Sequence, residues 1–524
     1  MKRLLCLVLS LMMVLGACSA LATEYPLVAE KAEFRLTARV RPLHGNLDDM
    51  ELFKRIEELT NIHIDWDQIP QAEYDEKKNL LLAAGSASSE LPDGFFGKYS
   101  LSSSDIVTYG SQGVLIPLND LIEQYAPNLT ALFEAHPEIK GMVTAPDGNI
   151  YSTPYVQEGE DGTIASNMMI NVTWLERLGL EKPTTMDELQ KVLIAFRDQD
   201  ANGNGDPSDE IPMTFKFNGS QRDLAGLFGA YGYPDTAVSG ANHMVVDNGK
   251  VVFVPVTEGY KNACKALYEN FFSQGLIDME GFTMDKKTYN AQNQGDIANI
   301  GVFFCWNSFD LGTKYEHEYE PLPPLLGPDG TTSWPYSPTS TMMATGFSIT
   351  NVCENPELLM QWVDTFYDPY WSMQCDLGPV GINLIDNGDG TYSYADVPEG
   401  MSYDEFRSKE AFSSDGPIAL TSDFFTTVIG RSEAHQAKYD RNQLYHPYAT
   451  YSYIPSMLMT EEDNDALSLL ETDITSYTEE LRAKWLAYGG IDEEWDAYVE
   501  RLYRMGLEEY IEIYQRNYTA AYGE

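Results

Sequence analysis

Positive charge is scarce in this sequence. Lys and Arg together number 34 against 80 Asp and Glu, a formal net charge of −46. A body this acidic repels nucleic acid and anionic membrane surfaces, so no nucleic-acid partner is expected. It is compatible with neutral ligands and with cations such as calcium, and solubility at a crowded cell surface is the default meaning of the charge. Cysteine is sparse too. Beyond the N-terminal segment only Cys264, Cys305, Cys353 and Cys375 occur. None forms a C-x-x-C pair, and their spacings suggest no zinc site. A large core does not need disulfide staples, so buried free thiols are the simpler expectation and a disulfide stays open. Signatures of catalysis are missing: there is no H-E-x-x-H, G-x-S-x-G or Walker loop. The 7 histidines, His63, His136 and His435 among them, are scattered. Among 80 carboxylates some pair will resemble a glycosidase dyad by chance, so a pair proves nothing. Past the N-terminus no run is long and apolar enough for a transmembrane helix. The chain is therefore read as not an enzyme.

What is present begins at residue 1. Lys2 and Arg3 form a basic start, and Leu4 to Leu15 is apolar over signal-peptide length. That is shorter than the about 20 residues that span a bilayer. Leu15-Gly16-Ala17-Cys18 resembles the bacterial lipobox. The resemblance implies a signal peptide over 1–17, lipid (palmitate) attachment at Cys18 and a tether over 18–31. The body would then sit at the extracellular face of the cell membrane, held only by its lipid. An ordinary signal peptide with an incidental cysteine is the alternative.

At 524 residues with 43% apolar content, the chain can bury two or more cores. Phe34, Leu36, Ala38 and Val40 alternate as a strand. A helix over about 46–59 follows, with Leu52, Phe53, Ile56 and Leu59 on one face. Ile62, Ile64 and Trp66 alternate again, and a second helix stops at Gly85. This is a βαβ pattern, which makes the fold class α/β. Gly94-Phe95-Phe96-Gly97 reads as a strand end opening into an aromatic loop, a place where open α/β sheets bind ligands. Asp147-Gly148 turns into the extended piece Ile150–Tyr155, a candidate crossing between lobes. A second α/β region starts near Met168, with a short helix from Trp174 to Leu180. Thr185 and Glu188 then form a capping box for the next helix.

That helix runs to about Arg197 and leads into Asp200-Ala201-Asn202-Gly203-Asn204-Gly205-Asp206. Oxygen side chains at loop positions one, three and five, with glycine at six, form the first half of an EF-hand-type calcium loop. Asp206 would give its carbonyl, and Ser208, Asp209 and Glu210 could close the shell. Ile211 replaces the bidentate Glu of position twelve, and Ile211 to Phe215 reads as a strand instead of a second helix. We expect structural Ca2+ held by Asp200, Asn202, Asn204, Asp206, Asp209 and Glu210; a turn that binds nothing is the alternative.

Several blocks in order resemble one family. They are Leu81–Gly85 with Leu91-Pro92-Asp93, Gly113–Leu118, Asp147–Tyr151, Trp174–Leu180, Pro183–Glu188, the Asp200–Pro212 loop, Gly327–Gly330, and Met505-Gly506-Leu507 with Tyr514-Gln515. Together they resemble the extracellular solute-binding proteins, family 1, of carbohydrate ABC importers, in the long lipoprotein branch that includes alginate-binding proteins. The resemblance implies a two-lobed periplasmic-binding-protein-like fold with a hinge and a helical C-terminus. We place one lobe at 32–155 plus about 337–420 and the other at 156–336 plus about 421–524. It implies a monomer that binds an oligosaccharide between the lobes and delivers it to permease subunits. It also implies calcium in the Asp200-type loop, although an extra residue between Asn204 and Asp209 leaves the ligands after position five open.

Sugars offer apolar C–H faces to aromatic rings and hydroxyls to polar side chains. Trp306, which ends a buried strand Gly301–Cys305, is the first candidate contact. Trp334, Tyr336, Tyr155 and Phe96 follow. Each could equally be packing. Tyr370-Trp371 falls in a helical stretch, where core packing is expected. The C-terminal face of Trp495, Tyr498, Val499, Leu502, Leu507, Tyr510, Ile511 and Tyr514 is read as packing within the body. A surface glycoside hydrolase or lyase is the alternative function, and a calcium-stabilised adhesion module is a third.

Overall fold

The structure, a computed structural model, describes residues 24–159, 162–164, 166–235, 243–306, 308, 310–337, 341–431 and 433–523. Cys18 and the signal segment lie outside the described residues. The chain divides into two compact units. One runs to Gln157 and resumes over Met342–Gly430; the other holds Glu158–Thr341 and Arg431–Glu524.

The first unit is built on six strands in the order Ala419–Leu420, Thr153–Gln157, Met342–Ile349, Gly94–Phe96, Ala32–Val40 and Ile62–Pro70. Phe34, Leu36 and Ala38 point into the core, as a period of two requires. Helix Glu51–Thr60 buries Leu52, Phe53 and Ile56 and stops at Asn61, whose φ of 59° is left-handed. The chain returns as Ile62–Pro70, parallel to the first strand with Phe34 opposite Ile64. This is the expected βαβ unit. Helix Tyr74–Ala84 ends at Gly85. The aromatic segment differs from the expected loop. Gly94–Phe96 is an inner strand, parallel to Ala32–Val40 and antiparallel to Met342–Ile349. A three-residue strand is too short to show a period, so only its sheet neighbours reveal it.

The second unit has two four-stranded sheets. One runs Tyr319–Leu322, Asn167–Asn171, Ile300–Cys305, Ile211–Met213; the other runs Pro335–Tyr336, Tyr451–Tyr453, Met244–Asp247, Lys250–Phe253. Ile211–Met213 lies parallel to Ile300–Cys305, so the Asp200 loop does end in a strand. Helix Met186–Asp198 precedes that loop. Thr185 Oγ1 accepts from the Glu188 amide at 3.1 Å, but the Glu188 carboxylate reaches Thr184 instead of closing a box on Thr185. Helices Glu461–Tyr488, Ile491–Arg504 and Leu507–Tyr522 form the C-terminus. Trp485, Trp495, Tyr498, Leu502, Leu507, Tyr510 and Ile513 pack in one core, while Val499 and Ile511 lie at its margin. Each fully buried large apolar side chain contributes about 1.5–3 kcal/mol. Tyr370 and Trp371 are not core: Tyr370 is 40% exposed and Trp371 half-buried at the start of helix Pro369–Leu377. Cys264, Cys305, Cys353 and Cys375 are all free thiols. Burial pushes Cys305 and Cys353 up to about 12, which makes both poor nucleophiles. No helix of the described residues is long and apolar enough to cross a membrane.

Candidate functional site

Three clusters hold the residues that could meet a ligand or an ion. In the second unit, Trp306 follows the carboxyl end of strand Ile300–Cys305, all six of whose residues are buried. Its amide donates to Asp310 Oδ2 at 2.8 Å. Asp310 is itself paired with the buried Arg222 at 2.8 Å. The Trp306 carbonyl accepts from Arg441 at 2.9 Å, and Arg441 also donates to Asn167 Oδ1 at 2.8 Å. Lys438 stands one helical turn before Arg441 on helix Glu433–Gln443, so both point the same way. The Lys438 ammonium lies 3.0 Å from the centroid of the Trp306 ring. One face of this half-buried indole is thus covered by a cation, and its backbone is held at both ends.

In the first unit, a polar group gathers beyond the carboxyl ends of three strands. Arg41 follows Ala32–Val40, Lys98 and Tyr99 follow Gly94–Phe96, and Gln157 ends Thr153–Gln157. Arg41 pairs with Asp415 at 2.6 Å and donates to the Ser413 carbonyl at 2.7 Å. Arg407 donates to Asp404 at 3.1 Å and to the Asp376 carbonyl at 3.1 Å. The Asp376 carboxylate accepts from Gln157 at 3.2 Å and from the Ser414 amide at 2.8 Å. His44 is buried against Phe412 and lies 3.5 Å from Asp415. Burial pulls His44 down to about 4 although Asp415 acts against it. Burial likewise pulls Lys98 below the ordinary lysine range, opposed by Asp415 and Asp376. Sequence reading missed Arg41, Lys98, Gln157, Asp376 and Asp415. Arg41 and Lys98 stand just after a strand and Gln157 ends one, whereas Asp376 and Asp415 carry no such signal.

The Asp200 loop closes on itself. Asp200 accepts from the amides of Gly203 and Gly205 at 2.8 and 2.9 Å. The side-chain amides of Asn202 and Asn204 both reach the Asp209 carboxylate, at 2.8 and 2.6 Å. The Asn202 amide meets Glu210 Oε1 at 3.2 Å. Gly203 has φ 79°, and a Cβ there would stand 2.8 Å from the Arg177 guanidinium, which donates to the Ala201 carbonyl. Asp206 is turned to Ser208, accepting from its amide and hydroxyl at 3.1 and 2.6 Å. Among the described residues no three His, Cys, Asp or Glu side chains converge as a metal cluster. The donors that do converge are two asparagines with Asp209 and Glu210. All could offer oxygens to a hard cation, and Glu210 Oε2 is buried with no hydrogen-bond partner. Burial pushes the Glu210 carboxyl above its usual range.

The other expected contacts lie elsewhere. Phe96 has no exposed surface; its ring packs on Trp66, Phe366 and Phe412 at 5.2, 5.3 and 5.4 Å. Trp334 is buried, with Nε1 donating to the Ser166 carbonyl at 3.0 Å and its ring on Tyr445 at 5.0 Å. Tyr336 is half-buried in a two-residue strand parallel to Tyr451–Tyr453. Tyr155 is buried, and the Lys98 ammonium sits 4.2 Å over its ring. Trp306 therefore belongs to the cluster in the second unit and Tyr155 to that in the first, whereas Phe96 and Trp334 are packing residues in this structure.

Comparison with known proteins adds the lineage. The family model for bacterial extracellular solute-binding proteins matches residues 45–370. The fructooligosaccharide ABC transporter substrate-binding protein FusA of Streptococcus pneumoniae is 34% identical over 507 residues, 94% of this chain and 91% of that protein. Its structure in complex with kestose matches with a TM-score of 0.72 at 32% identity, covering 93% of this chain and 98% of that one. A second FusA structure is of an EF-hand mutant in complex with fructo-nystose. The HMO-binding, ABC-transporter-associated solute-binding protein of Bifidobacterium longum infantis matches with a TM-score of 0.77 at 25% identity, covering 94% and 100%.

Proposed function

The chain belongs to the bacterial extracellular solute-binding proteins, and from that premise we propose that it captures an oligosaccharide and delivers it to the permease of an ABC importer. The observation that carries this reading is the 34% identity to FusA along nearly the whole of both chains. The geometry supports it. Each unit gathers aromatic rings with Arg, Lys, Asn or Asp side chains beyond strand ends, and both halves of that chemistry are what a sugar needs. In this reading Trp306 stacks on a sugar face and Tyr155 seats Lys98. The fructans named for FusA are the first ligands to test.

Three finer points belong to the same proposal. Cys18 carries the lipid that holds the protein at the outer face of the cell membrane. The protein acts as a monomer. The Asp200 loop binds calcium through Asp200, Asn202, Asn204, Asp209, Glu210 and the Asp206 carbonyl. When bound, calcium supplies a hard charge that ties the two arms of the loop together; the FusA EF-hand mutant supports this assignment. Titration calorimetry with 1-kestose, nystose and a wider set of glycans tests the central reading. We expect stoichiometric binding with no release of reducing sugar. Release of reducing ends by the purified protein would overturn the reading in favour of an enzyme.

A further inference from the structure

Lys98 is held firmly at its backbone and by little at its tip. Its amide donates to the Asp415 carbonyl at 2.7 Å, and its carbonyl accepts from Thr345 Oγ1. Gly97, just before it, has φ 109°, and a Cβ there would stand 2.9 Å from the Asp415 carbonyl oxygen. Only glycine lets the two segments approach this closely. The side chain therefore leaves the sheet at a fixed place. Its ammonium stands 4.2 Å over the Tyr155 ring and 5.0 Å over the Tyr99 ring.

The neighbouring Arg41, Arg407, Asp376 and Asp415 are otherwise engaged, while Arg39 shares the Tyr99 ring with Lys98 at 5.0 Å. Arg41 is taken by Asp415 and Ser413, Arg407 by Asp404 and the Asp376 carbonyl, and Asp376 by Gln157 and Ser414. No hydrogen bond or ion pair among the described residues reaches the Lys98 ammonium, whose only close partners are the two rings. A half-buried lysine with no protein acceptor at its ammonium gives up part of its hydration and gains only cation–π contacts in return. The position makes sense when the acceptor is supplied from outside. Tyr99 is 46% exposed, so this end of the cluster opens to solvent.

We propose that Lys98 is a specificity-determining ligand contact: its ammonium, aimed by Tyr99 and Tyr155, donates to an oxygen of the bound oligosaccharide, either a hydroxyl or a carboxylate. This rests on the oligosaccharide reading above. The alternative is a structural lysine that offsets the nearby Asp residues, and the two differ in an observable way. A structural lysine stabilises the ligand-free protein. A ligand-directed one does not.

Lys98→Met preserves the apolar stem over the rings and removes the charge. Its ligand-free melting temperature is expected to equal or exceed that of the wild type. Its affinity is measured by calorimetry well below either transition, with 1-kestose and nystose as neutral probes and trigalacturonate as the acidic one. A lost hydrogen bond from a charged donor predicts at least about a tenfold loss for whichever probe the wild type binds. Loss confined to trigalacturonate and weakened by salt identifies a carboxylate; loss with the neutral sugars identifies a hydroxyl. Wild-type affinity in the Met variant, whatever its melting temperature, overturns the proposal about Lys98 alone. A wild type that binds no probe or other glycan overturns the oligosaccharide reading and this proposal with it.

Discussion

Arg482 is the single side chain whose removal should cost the fold most. It lies in helix Glu461–Tyr488 with no exposed surface. Its guanidinium pairs with Asp223 at 2.9 Å and Asp235 at 3.2 Å, donates to Asn218 Oδ1 at 2.8 Å, and lies 4.4 Å over the Phe217 ring. Both carboxylates are buried, and Asp235 also holds His243 Nδ1 at 2.7 Å. Burial works against the arginine charge, but Asp223 and Asp235 hold its pKa above the ordinary value. Arg482→Met keeps an apolar stem and leaves two buried carboxylates without their shared cation. Breaking a buried pair from one side costs about 3–5 kcal/mol, against about 0–1 kcal/mol for an exposed pair. We expect a loss of about 3–5 kcal/mol in urea unfolding, with calorimetry showing the transition of the second unit moving. The pH dependence provides a second signature. The stranded carboxyls would have folded pKa values raised above their unfolded value of about 4. A raised acid is favourable below its unfolded pKa, and that contribution is lost as pH rises through the folded pKa. The variant's deficit should therefore widen between about pH 5 and 8. Adding Asp223→Asn and Asp235→Asn should recover most of it. A deficit below about 1 kcal/mol, or one that does not change with pH, would refute the reasoning.

Other perturbations follow the same logic. Calcium should raise the melting temperature and a chelator should reverse it. Asp209→Ala with Glu210→Ala should abolish the response, because the Asn202 and Asn204 amides then lose the carboxylates they face. Trp306→Ala should weaken glycan binding by about 1.5–3 kcal/mol, read by calorimetry, as expected for loss of a stacking surface. His44, pulled down to about 4, contributes stability that is complete above about pH 6.5 and lost as pH falls toward 4. Asp364 has the opposite sign. Burial pushes it up to about 6 despite hydrogen bonds from Leu129 and Asn128, so its contribution is lost as pH rises from about 4 through 6. The two offset each other, and Asp364→Asn should expose a steeper acid-side loss in denaturation curves between about pH 4.5 and 7.

The fold was legible where burial is one-sided. The alternation of Phe34, Leu36 and Ala38, the helix face of Leu52, Phe53 and Ile56, and the stop at Gly85 all appear in the structure. Legibility failed at short inner strands. Gly94–Phe96 has too few residues to show a period, and both of its faces are covered. The aromatic candidates show the same limit. Trp306 was legible as a residue beyond a strand end, because a buried run of six residues ends just before it. Trp334 was not, since only the meeting with Gly226, where a Cβ would lie 2.4 Å from the indole, shows that it fills the core. The cluster in the first unit joins Arg41 to Asp415 across more than 370 positions of sequence, and no local pattern encodes such a pair.

The composition gains a sharper meaning from these clusters. Only 34 Lys and Arg stand against 80 acids, yet the residues beyond the strand ends are rich in cations. Three arginines and Lys98 differ in what they hold, although Arg407 also lies over the Tyr403 ring at 5.5 Å. Arg41, Arg407 and Arg441 each donate to a backbone carbonyl, of Ser413, Asp376 and Trp306, and each also binds a carboxylate or an amide oxygen. A planar guanidinium with five donors can bridge two loops at once, so these arginines fix the loops. Lys98 instead lies over an aromatic ring, at 4.2 Å. A lysine ammonium is a point charge on a flexible stem and can follow an acceptor that arrives later. Loops already ordered by arginine need not be ordered again by a ligand, so less of the binding energy is lost to entropy. Under this division Arg441→Lys should loosen the backbone around Trp306 and weaken binding, because one ammonium cannot hold both Asn167 and the Trp306 carbonyl in that geometry. Lys98→Arg should leave the fold intact. Hydrogen exchange at the amides flanking Trp306 reads the first effect, and unchanged protection there in Arg441→Lys would show that the loop is fixed by Asp310 alone.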